Sequence, residues 1–248
     1  DVLVLSERNG SVRFLNLLEY ASLDRPEQQW LWEGIIPKPG MSVLVGMPFE
    51  GKSFLALQIA FAMGQGRGEL FGKKIIPGKV WYLQLDTSEL LWRERLVKIA
   101  EHGVPIGGNI AMLHPDDTHP LDICSGEGQA WVKACLADIK PSLTIIDVLR
   151  EIHTKDENDN TAVKELNDAL ASCFPQQAYL LVHHTRKIPM DVEDPDPRIF
   201  GRGASALMGK ADTAMILHNR KLRVTSRAGK AEFKLNQREE WTGLWELR

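Results

Sequence analysis

Cysteine is scarce: Cys124, Cys135 and Cys173 are the only three in 248 residues, and none are spaced as CxxC. That supports neither a disulfide framework nor a zinc knuckle, and it fits a reducing cytosol, so a cytoplasmic protein is expected. Long apolar runs are missing too. Met41 to Val45, the longest strongly apolar stretch near the front, falls far short of a membrane span and follows no basic-then-apolar leader, so no membrane partner is expected. Charge of one sign is nearly absent, with 30 Lys+Arg against 33 Asp+Glu for a net charge of -3. This excludes a protein whose whole surface clamps polyanions, but a local basic stripe stays open. Gly and Pro follow no period and no internal repeat occurs, which excludes collagen-like and low-complexity chains. What remains is 44% hydrophobic, enough to offset the entropy of ordering and to bury one substantial core or two small ones. Asp1 in place of an initiating Met suggests a processed or trimmed chain, which leaves room for a neighbouring domain.

Residues 1–40 mix short apolar pieces with Pro26, Pro37, Pro39 and Gly40, and read as an irregular lead-in lying on the core or on a neighbouring subunit. Residues 41–248 read as one domain. Met41–Val45 and Lys79–Leu85 are buried-strand runs, each followed by a helix: Phe54 to Met63, and a second with Trp92, Leu96, Ile99 and Ala100 on one face, stopped by Gly103. Ile110–Leu113 predicts a third strand, Gly126–Ile139 a helix, and Leu143–Asp147 a strand. Val163, Leu166, Leu170 and Cys173 then recur at helical spacing before the strand Ala178–Val182. This alternation implies an α/β fold, mainly a parallel sheet covered by helices, because parallel strands need crossovers. From Ala211 onward Thr213–Leu217, Leu222–Val224 and Ala231–Leu235 lie close together with polar turns, which predicts antiparallel hairpins added to the sheet edge.

Gly46-Met47-Pro48-Phe49-Glu50-Gly51-Lys52-Ser53 fits GxxxxGK[ST] between a strand and the helix that Phe54 opens. Phosphates need inward N–H groups, which bulky residues would obstruct. They also need a helix N-terminus, a Lys for the β- and γ-phosphates and a hydroxyl for Mg²⁺, so ATP with Mg²⁺ is the expected ligand. At ordinary residue frequencies the pattern would arise by accident in about one such chain in a hundred, and the flanking elements make accident rarer. Asp147, ending an apolar strand, suits a carboxylate that orders water around Mg²⁺; a cap or turn Asp is the alternative, and the P-loop favours the metal role with Ser53. Asp86, ending the second strand, could be the general base, with Glu89 as a substitute and N-terminal capping as the competing role. His183-His184-Thr185-Arg186-Lys187 follows what reads as the last parallel strand, at the carboxyl end where ligands sit in open α/β sheets, and alternation lets only one His face the nucleotide. No metal-ligand spacing surrounds the pair, so it reads as a γ-phosphate sensor. Ile188 to Gly201 holds three prolines and four acids, a mobile loop closed by Arg202-Gly203-Ala204-Ser205. Arg202 either reaches a phosphate, in its own or a neighbouring subunit, or anchors the loop through a salt bridge. The basic segment Arg220 to Lys234 reads as a solvated hairpin face, with Arg227 in its turn as a second candidate finger.

These motifs resemble the RecA-like ATPases, most closely the hexameric replicative helicases of the plasmid RepA type, with DnaB-type helicases and KaiC as further relatives. The resemblance runs from Trp30 to Trp245. It is carried by Trp30-Leu-Trp-Glu-Gly-Ile-Ile-Pro-Lys-Pro-Gly40, the P-loop, Val80–Asp86, Ile145–Arg150, Asp156–Asn160, Leu181–Lys187 and Arg202–Ser205. It implies a head-to-tail homo-oligomer, a hexamer in that family, with ATP between subunits and single-stranded DNA in a central channel; replication proteins are further candidate partners. By that resemblance Lys52 and Ser53 are the phosphate and Mg²⁺ residues, Asp147 the Walker B acid, and His184 the sensor. Asp86 stands where the family usually has Glu, a reach shorter by one methylene. The loops around Lys155–Asn160 and Lys187–Gly201 are acidic, which implies weak, salt-sensitive DNA binding that depends on assembly. The competing expectation is a slow regulatory ATPase, KaiC-like or a recombination mediator, whose nucleotide state switches assembly. A monomeric P-loop kinase would need an acceptor-binding lid that is not recognisable here.

Overall fold

The computed structural model describes residues 3–8, 11–24, 27–113, 121–157, 159–185, 196, 205–237 and 244–248. Strands β1 (Leu3–Arg8) and β2 (Ser11–Asn16) form an antiparallel hairpin, and α1 (Leu17–Ala21) follows, opened by a capping box between Asn16 and Glu19. A second hairpin, β3 (Gln29–Trp32) with β4 (Ile36–Lys38), brings Leu31, Trp32, Ile35 and Ile36 into the core.

The central units are β5 (Gly40–Gly46) with α2 (Lys52–Gly64), the small hairpin β6 (Glu69–Leu70) and β7 (Lys73–Lys74), β8 (Val80–Gln84) with α3 (Glu89–Glu101), and β9 (Ile110–Leu113) with α4 (Gly126–Ile139). Next come β10 (Leu143–Asp147), a 3-10 turn over Leu149–Ile152, α5 (Asn160–Cys173), β11 (Ala178–His184) and α6 (Ser205–Lys210). Strands β12 (Thr213–His218), β13 (Lys221–Ser226), β14 (Gly229–Gln237) and β15 (Trp245–Leu247) complete the chain. Nine strands make one sheet in the order β15-β14-β13-β12-β5-β11-β10-β8-β9.

The strands from β12 to β9 are parallel, and β13, β14 and β15 add antiparallel pairs at one edge. Here the sequence misleads at one strand. Thr213–Leu217 reads as an edge strand beyond the last parallel one; it does form the expected hairpin with β13, but its other edge pairs in parallel with β5, Thr213 beside Ser42 and Leu217 beside Gly46, so β12 is itself the last parallel strand. An apolar run bounded by polar turns looks the same in both settings, because strand direction is fixed by the partner rather than by local pattern.

Alternation decides which helix each strand residue meets. Leu44, Val80, Tyr82, Leu143, Ile145, Leu180 and Val182 join the cluster containing α2 and α3. Val43, Val45, Trp81, Leu83, Ile146 and Leu181 join the cluster containing α4, α5 and α6. In α3, Trp92 and Ile99 are buried and Leu96 packs against them, but Ala100 is exposed. At 100° per residue Ala100 lies about 80° from Trp92, on the rim of the stripe. Among the described residues no helix is long and apolar enough to cross a membrane.

Candidate active site

The P-loop takes its shape from two glycines. A Cβ on Gly46 would lie 2.7 Å from the Leu217 carbonyl oxygen, so the strand end admits no side chain. Gly51 caps α2 in the left-handed conformation, φ 85, and offers no side-chain acceptor. The N–H groups of the first turn are therefore left for an anion. Phe49, at the loop tip, also has positive φ (67) and is fully exposed. Glu50 is tethered sideways, with an oxygen 3.5 Å from Nδ1 of His218. Lys52 is buried, and its Nζ donates to the Met47 carbonyl at 2.8 Å. Burial pushes the ammonium down to about 8, against the opposing charges of Asp147, Glu50 and Asp86.

Asp147 continues the Leu143/Ile145 side of β10 and so faces α2. Ser53 Oγ donates to its Oδ1 at 3.2 Å across 94 positions of sequence, and the Tyr82 hydroxyl donates to Oδ2 at 2.7 Å. Burial raises the Asp147 carboxyl above its usual range, opposed by the Tyr82 and Ser53 hydrogen bonds and by Lys52. Burial, with Asp147 beside it, holds the Tyr82 phenol well above its ordinary value, so it remains a donor. A hydroxyl and one buried carboxylate are hard oxygen donors, which suit Mg²⁺ bound partly by protein and partly by phosphates. No cluster of three or more His, Cys, Asp or Glu able to hold a metal occurs among the described residues. The donor set thus fits a nucleotide-borne Mg²⁺ rather than an all-protein cage.

Asp86 is exposed, within electrostatic reach of Lys52 and Asp147. It is not a cap: Ser88 holds the N-cap position of α3. The Gln84 amide faces the Thr87 backbone, and with its oxygen and nitrogen assigned to suit that partner it donates to the Thr87 carbonyl at 3.0 Å and accepts from the Thr87 N–H at 2.7 Å. Glu89 points into solvent and pairs with Arg93 at 3.3 Å. Register sets His184 beside Gly46, and alternation places it on the α2 face with Val182. His183 is buried on the other face, 3.7 Å from Glu157, whose second oxygen lies 3.5 Å from the buried His153. Both histidines border one cavity of about 320 Å³ with Arg150, Lys155 and Asp156. Arg202 and most of the Lys187–Gly201 loop lie outside the described residues. Arg227 is 74% exposed at the β13–β14 turn, with its Nε 3.1 Å from Asp212, which also accepts from the Met41 N–H. That turn is level with Ser42, at the opposite end of β5 from Gly46.

Four contributors escape a reading of the sequence. Tyr82 is one. Trp245 is another: its indole Nε1 donates to the Gly51 carbonyl at 3.3 Å, and a Cβ on Gly51 would meet its ring at 2.7 Å. The third, Gln58, clasps the Trp245 backbone twice, donating to its carbonyl at 2.7 Å and accepting from its N–H at 2.9 Å. The fourth, Arg95, lies 4.4 Å over the Phe54 ring and 5.1 Å over Trp92. Apart from Arg95 over Trp92, three residues apart on α3, these pairings link residues far apart along the chain and leave no local signal in the sequence.

Fold and site together define a P-loop ATPase with a RecA-like core. Residues 12–190, well over half of the chain, match the AAA_25 family of AAA domains, and the chain belongs to that family. Among solved structures, the ATPase domain of a protein called G40P superposes with a TM-score of 0.58 at 14% identity, covering 84% of each chain. A KaiC-like protein of the hyperthermophilic archaeon Pyrococcus horikoshii OT3 gives 0.54 at 14% identity, over 88% of this chain and 93% of that one. No curated protein sequence matches.

Proposed function

We propose that this chain is the Mg²⁺-dependent ATP-hydrolysing unit of a homo-oligomeric ring or filament, of hexameric-helicase type, that moves on single-stranded DNA. Residues 1–40 serve as its lead-in and 41–248 as its ATPase domain. The observation that carries the reading is a division of the machinery. Gly46–Phe54, with Lys52, Ser53 and Asp147, gathers at one end of the sheet, whereas Arg227 stands exposed about 13 Å further down the strands, at roughly 3.3 Å per residue. An arginine so placed cannot reach its own P-loop but can reach that of a subunit stacked against it, where it would stabilise charge on the γ-phosphate.

Ser53 and Asp147 would hold Mg²⁺, whose chemistry is to neutralise charge on the β- and γ-phosphates. Lys52 binds those phosphates, Asp86 takes the proton of the attacking water, and His184 carries nucleotide state into the loop beyond β11. Arg202 remains a second candidate finger, and replication proteins are candidate partners. The second reading is a slow regulatory ATPase whose nucleotide state switches assembly. Asp86's short reach and the acids Asp156, Glu157 and Asp159 favour it, as does the likeness to a KaiC-like protein.

Complementation tests the division. Lys52→Ala and Arg227→Ala are each expected to be inactive alone, and mixing them is expected to restore part of the turnover, since some interfaces then pair an intact P-loop with an intact Arg227. Mixtures that stay inactive, or a protein that light scattering finds monomeric with ATP analogue and oligonucleotide present, would refute the trans assignment.

A further inference from the structure

The basic segment that reads as a solvated hairpin face is not uniform. Two rungs differ. Arg223 lies opposite Glu232 across β13 and β14, and the two are bridged at 2.8 Å. Two residues along on the same face, Lys221 lies opposite Lys234, and the Arg248 N–H donates to the Lys234 carbonyl at 2.9 Å, which sets Arg248 next in line just past the end of β15. Three cations thus occupy one rung across three adjacent strands, an arrangement in which like charges directly opposite repel.

A fourth joins them. Asn219 and Arg220 form the two-residue β12–β13 turn with φ 48 and 59, a geometry that ordinarily favours Asn-Gly. The turn places Arg220 at the same cavity of about 380 Å³ as Lys221, Lys234 and Arg248, with the amides Asn219 and Asn236 also lining it. Among the described residues no Asp or Glu side chain lines this cavity. It opens at the P-loop end of the sheet, since Leu217 is paired both with Gly46 of β5 and with Leu222 of β13.

We infer that this notch binds the phosphodiester backbone of single-stranded nucleic acid, an inference that rests on the DNA-motor reading. The rung spans about 10 Å at ordinary strand spacing, which is the footprint of a chain of phosphates rather than of one ion. It lies two strands away from the loop that already supplies a cradle for a nucleotide's own phosphates. It also supplies the cations that the acidic loop at Asp156, Glu157 and Asp159 does not, so a chain of net charge -3 has a local surface for a polyanion.

Fluorescence anisotropy of labelled oligo-dT against salt, with full-length assembled protein, tests the notch in the Lys234→Gln/Arg248→Gln variant. Removing two phosphate contacts is expected to weaken binding about tenfold at low salt and to flatten the log K against log salt slope by about 1.4, at ~0.7 per contact. The charge-neutral Arg223→Gln/Glu232→Gln variant, one rung away, is expected to keep the wild-type slope. Wild-type affinity and slope in Lys234→Gln/Arg248→Gln overturns the notch alone. A raised KM for ATP with oligonucleotide binding intact also overturns it, because the cations would then serve the nucleotide. Absence of oligonucleotide binding by the assembled wild-type protein overturns both the notch and the motor reading.

Discussion

Gln58→Leu probes how the C-terminal strand holds the phosphate loop. The side chain keeps nearly its size but loses both hydrogen bonds to the Trp245 backbone, at 2.7 and 2.9 Å. Both residues are buried, Gln58 at 9% and Trp245 at 4% exposure, so water does not readily replace the lost partners. Two net bonds at ~1 kcal/mol each set the lower bound, and two backbone groups left buried without partners, at ~1–3 kcal/mol each, set the upper. Because β15 is an edge strand that can yield towards solvent, we expect a loss of about 2–4 kcal/mol. Urea unfolding should show this as a lower midpoint at unchanged m. The indole that supports Gly51 would lose its anchor, so KM for ATP should rise while kcat holds. Trp245→Phe removes the 3.3 Å Nε1 bond together with the indole atoms that lie against Gly51, so it should cost about 1–3 kcal/mol. A Gln58→Leu protein within about 0.5 kcal/mol of wild type, with unchanged KM, would refute the clasp.

Lys52→Ala should abolish ATP binding or turnover, read by equilibrium binding and phosphate release; wild-type behaviour would remove Lys52 from the site. Because Lys52 titrates at about 8 in the unliganded protein, ATP affinity should fall towards tenfold per pH unit above that value, as calorimetry would show. The same shift has the opposite effect on the empty fold. The folded-state value lies below the ordinary 10.5, so the unfolded chain binds the extra proton between about 8 and 10.5, and stability rises across that window. Tyr82→Phe removes a donor from the buried Asp147 carboxylate at a cost of about 1.5–3 kcal/mol. It should also raise that carboxyl further, so the acid limb of kcat/KM moves to higher pH; an unmoved limb would count against Asp147's role. His184→Ala should spare nucleotide binding and uncouple any DNA stimulation, tested by ATPase rate with and without oligonucleotide.

Local chemistry made the P-loop legible. Gly46, Gly51, Lys52 and Ser53 lie within eight residues and carry their roles in their spacing. Asp147 was legible through its strand, since a carboxylate at the end of an apolar run is unusual enough to notice. The support around it was not legible. Tyr82 sits 65 positions from Asp147, and Trp245 sits 194 from Gly51 and 187 from Gln58, so each reads in isolation as an ordinary core aromatic. The direction of β12 was hidden for a related reason: parallel and antiparallel neighbours impose the same alternation on a buried strand. Like-charged rungs are equally silent, because Lys221, Lys234 and Arg248 meet only once the register of three strands is known. The histidine pair was half legible: alternation separates His183 from His184, but Glu157 becomes the shared partner of His183 and His153 only through the turn after β10.

The central claim is that ATP turnover in this P-loop site is coupled to single-stranded DNA through subunit contacts. The rate of phosphate release, measured with and without oligo-dT on a sample whose assembly is verified by light scattering, tests it most directly. The account predicts stimulation by the oligonucleotide that is lost in Arg227→Ala. An assembled sample that hydrolyses ATP at the same rate with and without DNA would contradict it.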